Sequence, residues 1–135
     1  MFRLPLLASL LVTTGAVAQE RAQCSEAVTQ LEINDCAEAD FELADKELNS
    51  LYRAILAKHE QDRGFIQRLR AAQRAWIAFR DAELEAAFFC NERRSSDCFG
   101  SIGPMSYSAL KARLTRDRTA QLREMISVRQ CPGCG

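Results

Sequence analysis

From Ile33 onward, apolar residues recur at steps of three and four: Ile33, Ala37, Phe41, Ala44, Leu48, Leu51, Tyr52 and Ile55. That period places them on one face of an α-helix, and neither proline nor glycine interrupts it before Gly64. Thr29-Gln30-Leu31-Glu32 has the spacing of a capping box, so a first helix is predicted from about Gln30 to Lys58. Asp62 can cap a second helix, whose apolar stripe reads Phe65, Leu69, Ala72, Trp76, Phe79 and Leu84, continuing to Ala87 and Phe88. Gly100, Gly103 and Pro104 mark a break. A third helix is predicted from Met105 or Ser106, carrying Leu110, Leu114, Leu122, Met125 and Ile126. No stretch alternates with period two and no internal repeat is visible. The expected fold is all-α: a small antiparallel bundle of about three helices, packed through their stripes and stapled by disulfides.

The N-terminal pattern is different. MFRLPLLASLLVTTGAVAQE has a basic start at Arg3, an apolar run and an Ala16-Val17-Ala18 cleavage site, the layout of a secretory leader. The run is shorter than the roughly 20 residues of a membrane span, and no cysteine follows it to carry a lipid. The expected organisation is a leader at 1–18, a helical domain at 19–130 and a short tail at 131–135, with the mature protein periplasmic or secreted.

Charge narrows the partners. The chain has 18 basic and 18 acidic side chains, and a balance this neutral gives no electrostatic case for nucleic acid or for insertion into anionic membranes. The six cysteines all follow the leader, and in an oxidising compartment an even number reads as disulfides. Spacing suggests Cys24 with Cys36 and Cys90 with Cys98, which leaves Cys131 with Cys134. The last two form a Cys-Pro-Gly-Cys tail, set at the chain end instead of at a strand-to-helix turn where redox motifs sit. Zinc would need four ligands, and one histidine with distant cysteines makes a poor set.

No catalytic motif is visible. His59 lies near the predicted end of the first helix with no nucleophile or metal motif around it, and reads as a solvated surface histidine. Asp81, Glu83 and Glu85 read as the wet face of the second helix. The chain is expected to be no enzyme and to need neither metal nor other cofactor.

Two groups of polar residues stand out. Gln73, Trp76 and Arg80 share a helix face, where Arg80 can lie against the indole. A guanidinium on a core-facing stripe needs a partner; Asp45 and Asn49 of the first helix are candidates, and Arg118 is another possible member. The group is either an internal network fixing helix register or a ligand site. The second group is CNERRSSDCFGSIGP, residues 90 to 104, where two cysteines bracket seven mostly polar residues.

Taken together, several segments resemble the lysozyme inhibitor LprI-like N-terminal domain family of exported bacterial proteins. They are Cys24; Asn34-Asp35-Cys36-Ala37; Ala44-Asp45-Lys46-Glu47-Leu48-Asn49 with Tyr52; and Ala72-Gln73-Arg74-Ala75-Trp76-Ile77 with Arg80-Asp81-Ala82-Glu83. Gly100-Ser101-Ile102 with Pro104 and Leu114-Thr115-Arg116-Asp117-Arg118 complete the set. The likeness runs from Cys24 to about Met125, and the segment ending in Arg-Asp-Ala-Glu is its most specific part. The family usually places one cysteine just after that segment and another four residues before the Leu-Thr leucine. Here those positions are Leu84 and Leu110, which implies that apolar packing replaces a bridge between the second and third helices.

The resemblance implies a periplasmic or surface module acting on muramidases. Under that implication the 90–104 loop becomes a candidate contact. Closing a nine-residue ring contributes about 2.5 kcal/mol in the chain-entropy model and pre-orders its residues for docking. Muramidase clefts are lined by catalytic carboxylates, which arginine can clamp with two hydrogen bonds. Arg93 or Arg94 would make that contact, with Ser95, Ser96, Asp97 and Phe99 beside it. The alternative is a solvated connection that the bridge only protects. At the level of function the alternatives are a non-enzymatic envelope assembly module, with another exported protein as partner, or an immunity protein against a secreted muramidase.

Overall fold

A computed structural model describes residues 24–91 and 94–129. The leader, Arg93 and the Cys131–Cys134 tail lie outside the described residues. Three long helices dominate: α1 at Gln30–Lys58, α2 at Arg63–Ala87 and, after the short α3 at Ser95–Phe99 and a 3-10 turn at Gly100–Ile102, α4 at Gly103–Arg129. Among the described residues there is no strand.

The helix starts are built as their sequences suggest. The Thr29 hydroxyl accepts from the Glu32 N–H, and the Glu32 carboxylate accepts from the Thr29 N–H at 2.9 Å, a complete capping box. The Asp62 carboxylate accepts from the Phe65 N–H at 2.9 Å and opens α2. The third long helix starts at Gly103, two residues ahead of the predicted Met105, because proline is well tolerated in a first turn, where its missing N–H has no helical partner. α3 was not expected. It is five mostly polar residues, Ser-Ser-Asp-Cys-Phe, ended by Gly100 at φ +58°, a backbone region that favours glycine.

α1 and α4 pack side by side over most of their length, while α2 meets them more sparingly. Ala44, Leu48 and Ile55 are buried on α1; on α4 the buried residues are Ser108, Ala112, Thr115, Thr119 and Leu122. Small side chains at steps of four and three let the two helix axes approach. Thr115 and Thr119 stay satisfied inside by donating to the carbonyls of Lys111 and Thr115, at 2.8 and 3.1 Å. Leu48, Ile55, Leu69 and Leu122 form the central cluster, surrounded by Tyr52, Phe65, Trp76 and Met125. This core lies toward the α1–α2 turn.

The stripe expected on α2 needs correction. Ala72, Phe79 and Ala87 are exposed, Phe79 at 55%. The inward face instead runs Phe65, Leu69, Gln73, Trp76, Arg80, Leu84 and Phe88, all buried or half-buried. Two polar residues thus occupy positions that a hydrophobic count gave to their neighbours, because each finds a partner there. Leu84 is buried and Leu110 half-buried, so both leucines that the resemblance singles out are withdrawn from solvent.

Candidate functional site

The end of the bundle opposite the α1–α2 turn carries most of the unusual chemistry. Two disulfides sit there, Cys24–Cys36 fastening the start of α1 and Cys90–Cys98 closing the loop after α2. The loop is also tied to α1, since the Asn34 side-chain amide donates to the Ser101 carbonyl at 3.4 Å. Asn91 is exposed at the start of the ring. Arg94 stands immediately before α3, its side chain 77% exposed, and forms an ion pair with Asp97 at 3.2 Å. The same Asp97 oxygen accepts from the Ser96 hydroxyl at 3.5 Å. A pair this open contributes little to stability; its effect is to hold the guanidinium on the α3 side of the ring. Ser95 begins α3.

Beneath the ring lies an aromatic cleft of about 460 Å3, lined chiefly by Phe88, Phe99, Gly100, Gly103, Pro104 and Tyr107. Phe88 meets both Phe99 and Tyr107 with ring centroids 5.3 Å apart. Gly103 permits a close approach: a Cβ there would lie 3.0 Å from the Phe99 Cβ, tighter than an ordinary contact. Ser108, at the cleft margin, donates to the Glu38 carboxylate on α1. Phe89 and Ile102 are exposed at 70% and 52% nearby. The sequence had pointed to the ring and to Phe99. Gly103 and Tyr107 were not singled out as wall residues; the only local signal was the concentration of Phe, Tyr, Gly and Pro on both sides of the cysteines.

The second group of residues divides. Arg80 donates to Asp81, its chain neighbour, at 2.7 and 2.9 Å, and lies 5.2 Å from the Trp76 ring centre. Arg118 reaches the same indole at 5.9 Å and donates to the side-chain amide oxygen of the buried Gln73 at 3.0 Å. Asp45 instead accepts from Asn49 at 2.7 Å along α1, so the partner suggested for Arg80 is replaced by one from its own helix. Arg118 also donates to Gln121 at 3.4 Å, and one of its terminal nitrogens is buried without a partner. Burial holds the Arg118 pKa below its ordinary value, with Tyr52 acting in the opposite sense. Gln73, Trp76, Arg80 and Arg118 form a polar strut between α2 and α4.

The solvated histidine expected at position 59 is a second correction. His59 is half-buried, stacked edge-on to Phe65 at 5.0 Å, and its Nε2 is buried without a hydrogen-bond partner. It closes the foot of α1 because the tight turn folds Phe65 back against it. Asp81 is engaged by Arg80, while Glu83 and Glu85 are exposed. A further cleft, of about 480 Å3, lies at this end between Leu56, Ile66 and the side chains of Arg63, Arg70 and Arg74. It was overlooked in the sequence, although residues 63–80 contain five arginines and no acid. No described helix is long and apolar enough to cross a membrane.

The family model for lysozyme inhibitor LprI matches residues 21–122. An uncharacterized protein of Rhizobium meliloti (strain 1021) is 38% identical over 135 residues, spanning 90% of this chain and 93% of its own length. No solved structure matches.

Proposed function

The chain belongs to the lysozyme inhibitor LprI family, and from that membership we propose that it binds a muramidase and blocks its cleft with the ring-and-aromatic end of the bundle. Family and disulfides together point to an exported protein, and the family is one of inhibitors. The observation that carries the choice of surface is the combination at residues 88–107. An exposed guanidinium at Arg94 is carried on a disulfide-closed ring, and Ser96 of that ring lines the apolar cleft beside it.

The chemistry suits an acidic cleft. Arg94 exchanges its exposed partner Asp97 for a carboxylate of the enzyme, where exclusion of water strengthens the pair. Phe88, Phe99 and Tyr107 supply apolar area around it, the composition typical of interface centres. The ring has already lost much of its conformational freedom, so less entropy is lost on docking. Arg93, beside Arg94 in sequence, supplies a second guanidinium to the same ring.

The test is isothermal titration of the oxidised protein against chicken-type and goose-type lysozymes and the producing cell's own muramidases, with lysis assayed in parallel. Saturable one-to-one binding that blocks lysis is expected, and replacing both Arg93 and Arg94 with alanine should weaken it at least tenfold. Unchanged affinity in the folded double variant excludes this ring as the contact. Binding to none of the enzymes would reject inhibition and favour an envelope assembly partner.

A further inference from the structure

The arginines of the described residues are not evenly provided with partners. Arg80, Arg94, Arg113, Arg116, Arg123 and Arg129 each meet a carboxylate. Arg118 meets Gln73 and Arg68 meets the Gly64 carbonyl. Four remain with no acceptor among the described residues, Arg53, Arg63, Arg70 and Arg74, and three of these line one cleft. All three are exposed, and their spacing of seven and four residues sets them along a single face of α2. Glu60 is the one acidic residue on the cleft wall.

This arrangement works against the helix that carries it. Arg63 occupies the first position of α2, and the first turn holds no acidic residue, whereas the partial positive charge of a helix N-terminus favours anions there. The Asp62 carboxylate at the N-cap answers that dipole, so the local positive field along the cleft comes from the three guanidiniums, on a chain whose overall balance is neutral. The floor between them is apolar, from Leu56 and Ile66.

We infer that this furrow binds the carboxylates of peptidoglycan, holding the protein on the wall while its other end engages a muramidase. Spacing selects a polymer over a single small anion. Arg63 and Arg70 are separated by about 10 Å along the helix axis and Arg70 and Arg74 by about 6 Å. One carboxylate can bridge Arg70 and Arg74, but reaching all three requires anions that repeat. A glycan bearing acidic peptides presents such a repeat, and it is the polymer that a muramidase cleaves. Geometry permits both contacts at once, since Arg70 and Phe88 are about 27 Å apart along α2. The inference adds a ligand to the inhibitor reading and is tested separately from it.

The experiment is co-sedimentation of the oxidised protein with purified insoluble peptidoglycan, compared with the variant Arg63→Gln/Arg70→Gln/Arg74→Gln and with Arg63→Lys/Arg70→Lys/Arg74→Lys. Circular dichroism checks that each is folded. Wild type should pellet with the wall, the glutamine variant at least tenfold more weakly, and the lysine variant in between. Amidating the wall carboxylates, or raising salt, should release the wild type. Muramidase inhibition in solution should be the same for all three proteins. Wild type that stays in the supernatant, equal pelleting of the glutamine variant, or equal pelleting with anionic vesicles would overturn the inference. Loss of inhibition in the glutamine variant would also overturn it, by making the furrow the enzyme's own contact.

Discussion

The two ends of the bundle are closed by different physics. At the α1–α2 turn, all three long helices contribute to one apolar cluster around Leu48, Leu69 and Leu122. A His59–Phe65 contact and Arg129, 3.9 Å from the Phe65 ring and paired with Asp62, close it off. The far end has a thinner apolar layer, an open aromatic cleft and two disulfides. One end is stabilised by burial, the other by covalent restriction of the chain. Covalent closure leaves side chains free to face outward, which is what an interaction surface requires, and a filled core does not.

The sharpest way to break this contrast is to remove one leucine from the turn end. Leu69→Ala should cost about 2–5 kcal/mol, by lost transfer energy plus an unfilled cavity. Phe99→Ala at the half-buried cleft edge should cost markedly less. Chemical denaturation of the two variants reads the difference directly. Equal losses would mean that the cleft is part of the core and not a surface.

Replacing Cys90 and Cys98 together by serine comes next. The chain-entropy model assigns this ring about 2.5 kcal/mol, a loss that denaturation of the variant beside wild type, both in oxidising buffer that keeps Cys24–Cys36 closed, should show. The variant should lose muramidase affinity beyond that expected from its unfolded fraction, because the ring is no longer pre-ordered. A smaller effect is expected from Gly103→Ala, whose new Cβ would press on the Phe99 Cβ at 3.0 Å. A loss of about 1 kcal/mol is typical of such overpacking, with weakened inhibition as the second readout.

These expectations also show what a sequence of this kind conceals. The long helices were legible because their caps and apolar steps agree, as at Thr29–Glu32 and from Ile33 to Ile55. The centre of α4 was not, since Ser108, Thr115 and Thr119 count as polar. Two of them become compatible with burial only once each hydroxyl donates to the carbonyl four residues back, and the third once it reaches Glu38. On α2 the hydrophobic count favoured Ala72 and Phe79 over Gln73 and Arg80. What decides the matter is a partner, Arg118 from 45 residues away in one case and the adjacent Asp81 in the other. The cleft was invisible for a related reason: its walls come from three segments, and only folding places Tyr107 against Phe88.

The smallest effect concerns the two caps, one at each end. Glu32 has its carboxyl held below the usual carboxylate range by the backbone N–H groups of Thr29 and Val28. Asp62 is held down chiefly by the Phe65 N–H, with Arg129 adding to it. A lowered folded-state pKa means that each carboxylate stabilises the fold above its unfolded value, near pH 4, and loses that contribution as pH falls through the folded value. Asp62→Asn retains a good capping side chain but no titration and no ion pair with Arg129. Its melting temperature should therefore fall slightly below wild type at pH 7, and the gap should close toward pH 2. Glu32→Gln should show the same convergence with less dependence on salt, because its partners are backbone dipoles instead of an arginine. A salt response equal at both ends would mean that the Arg129 pair contributes nothing to closing the turn, leaving the Phe65 and His59 packing to hold that end alone.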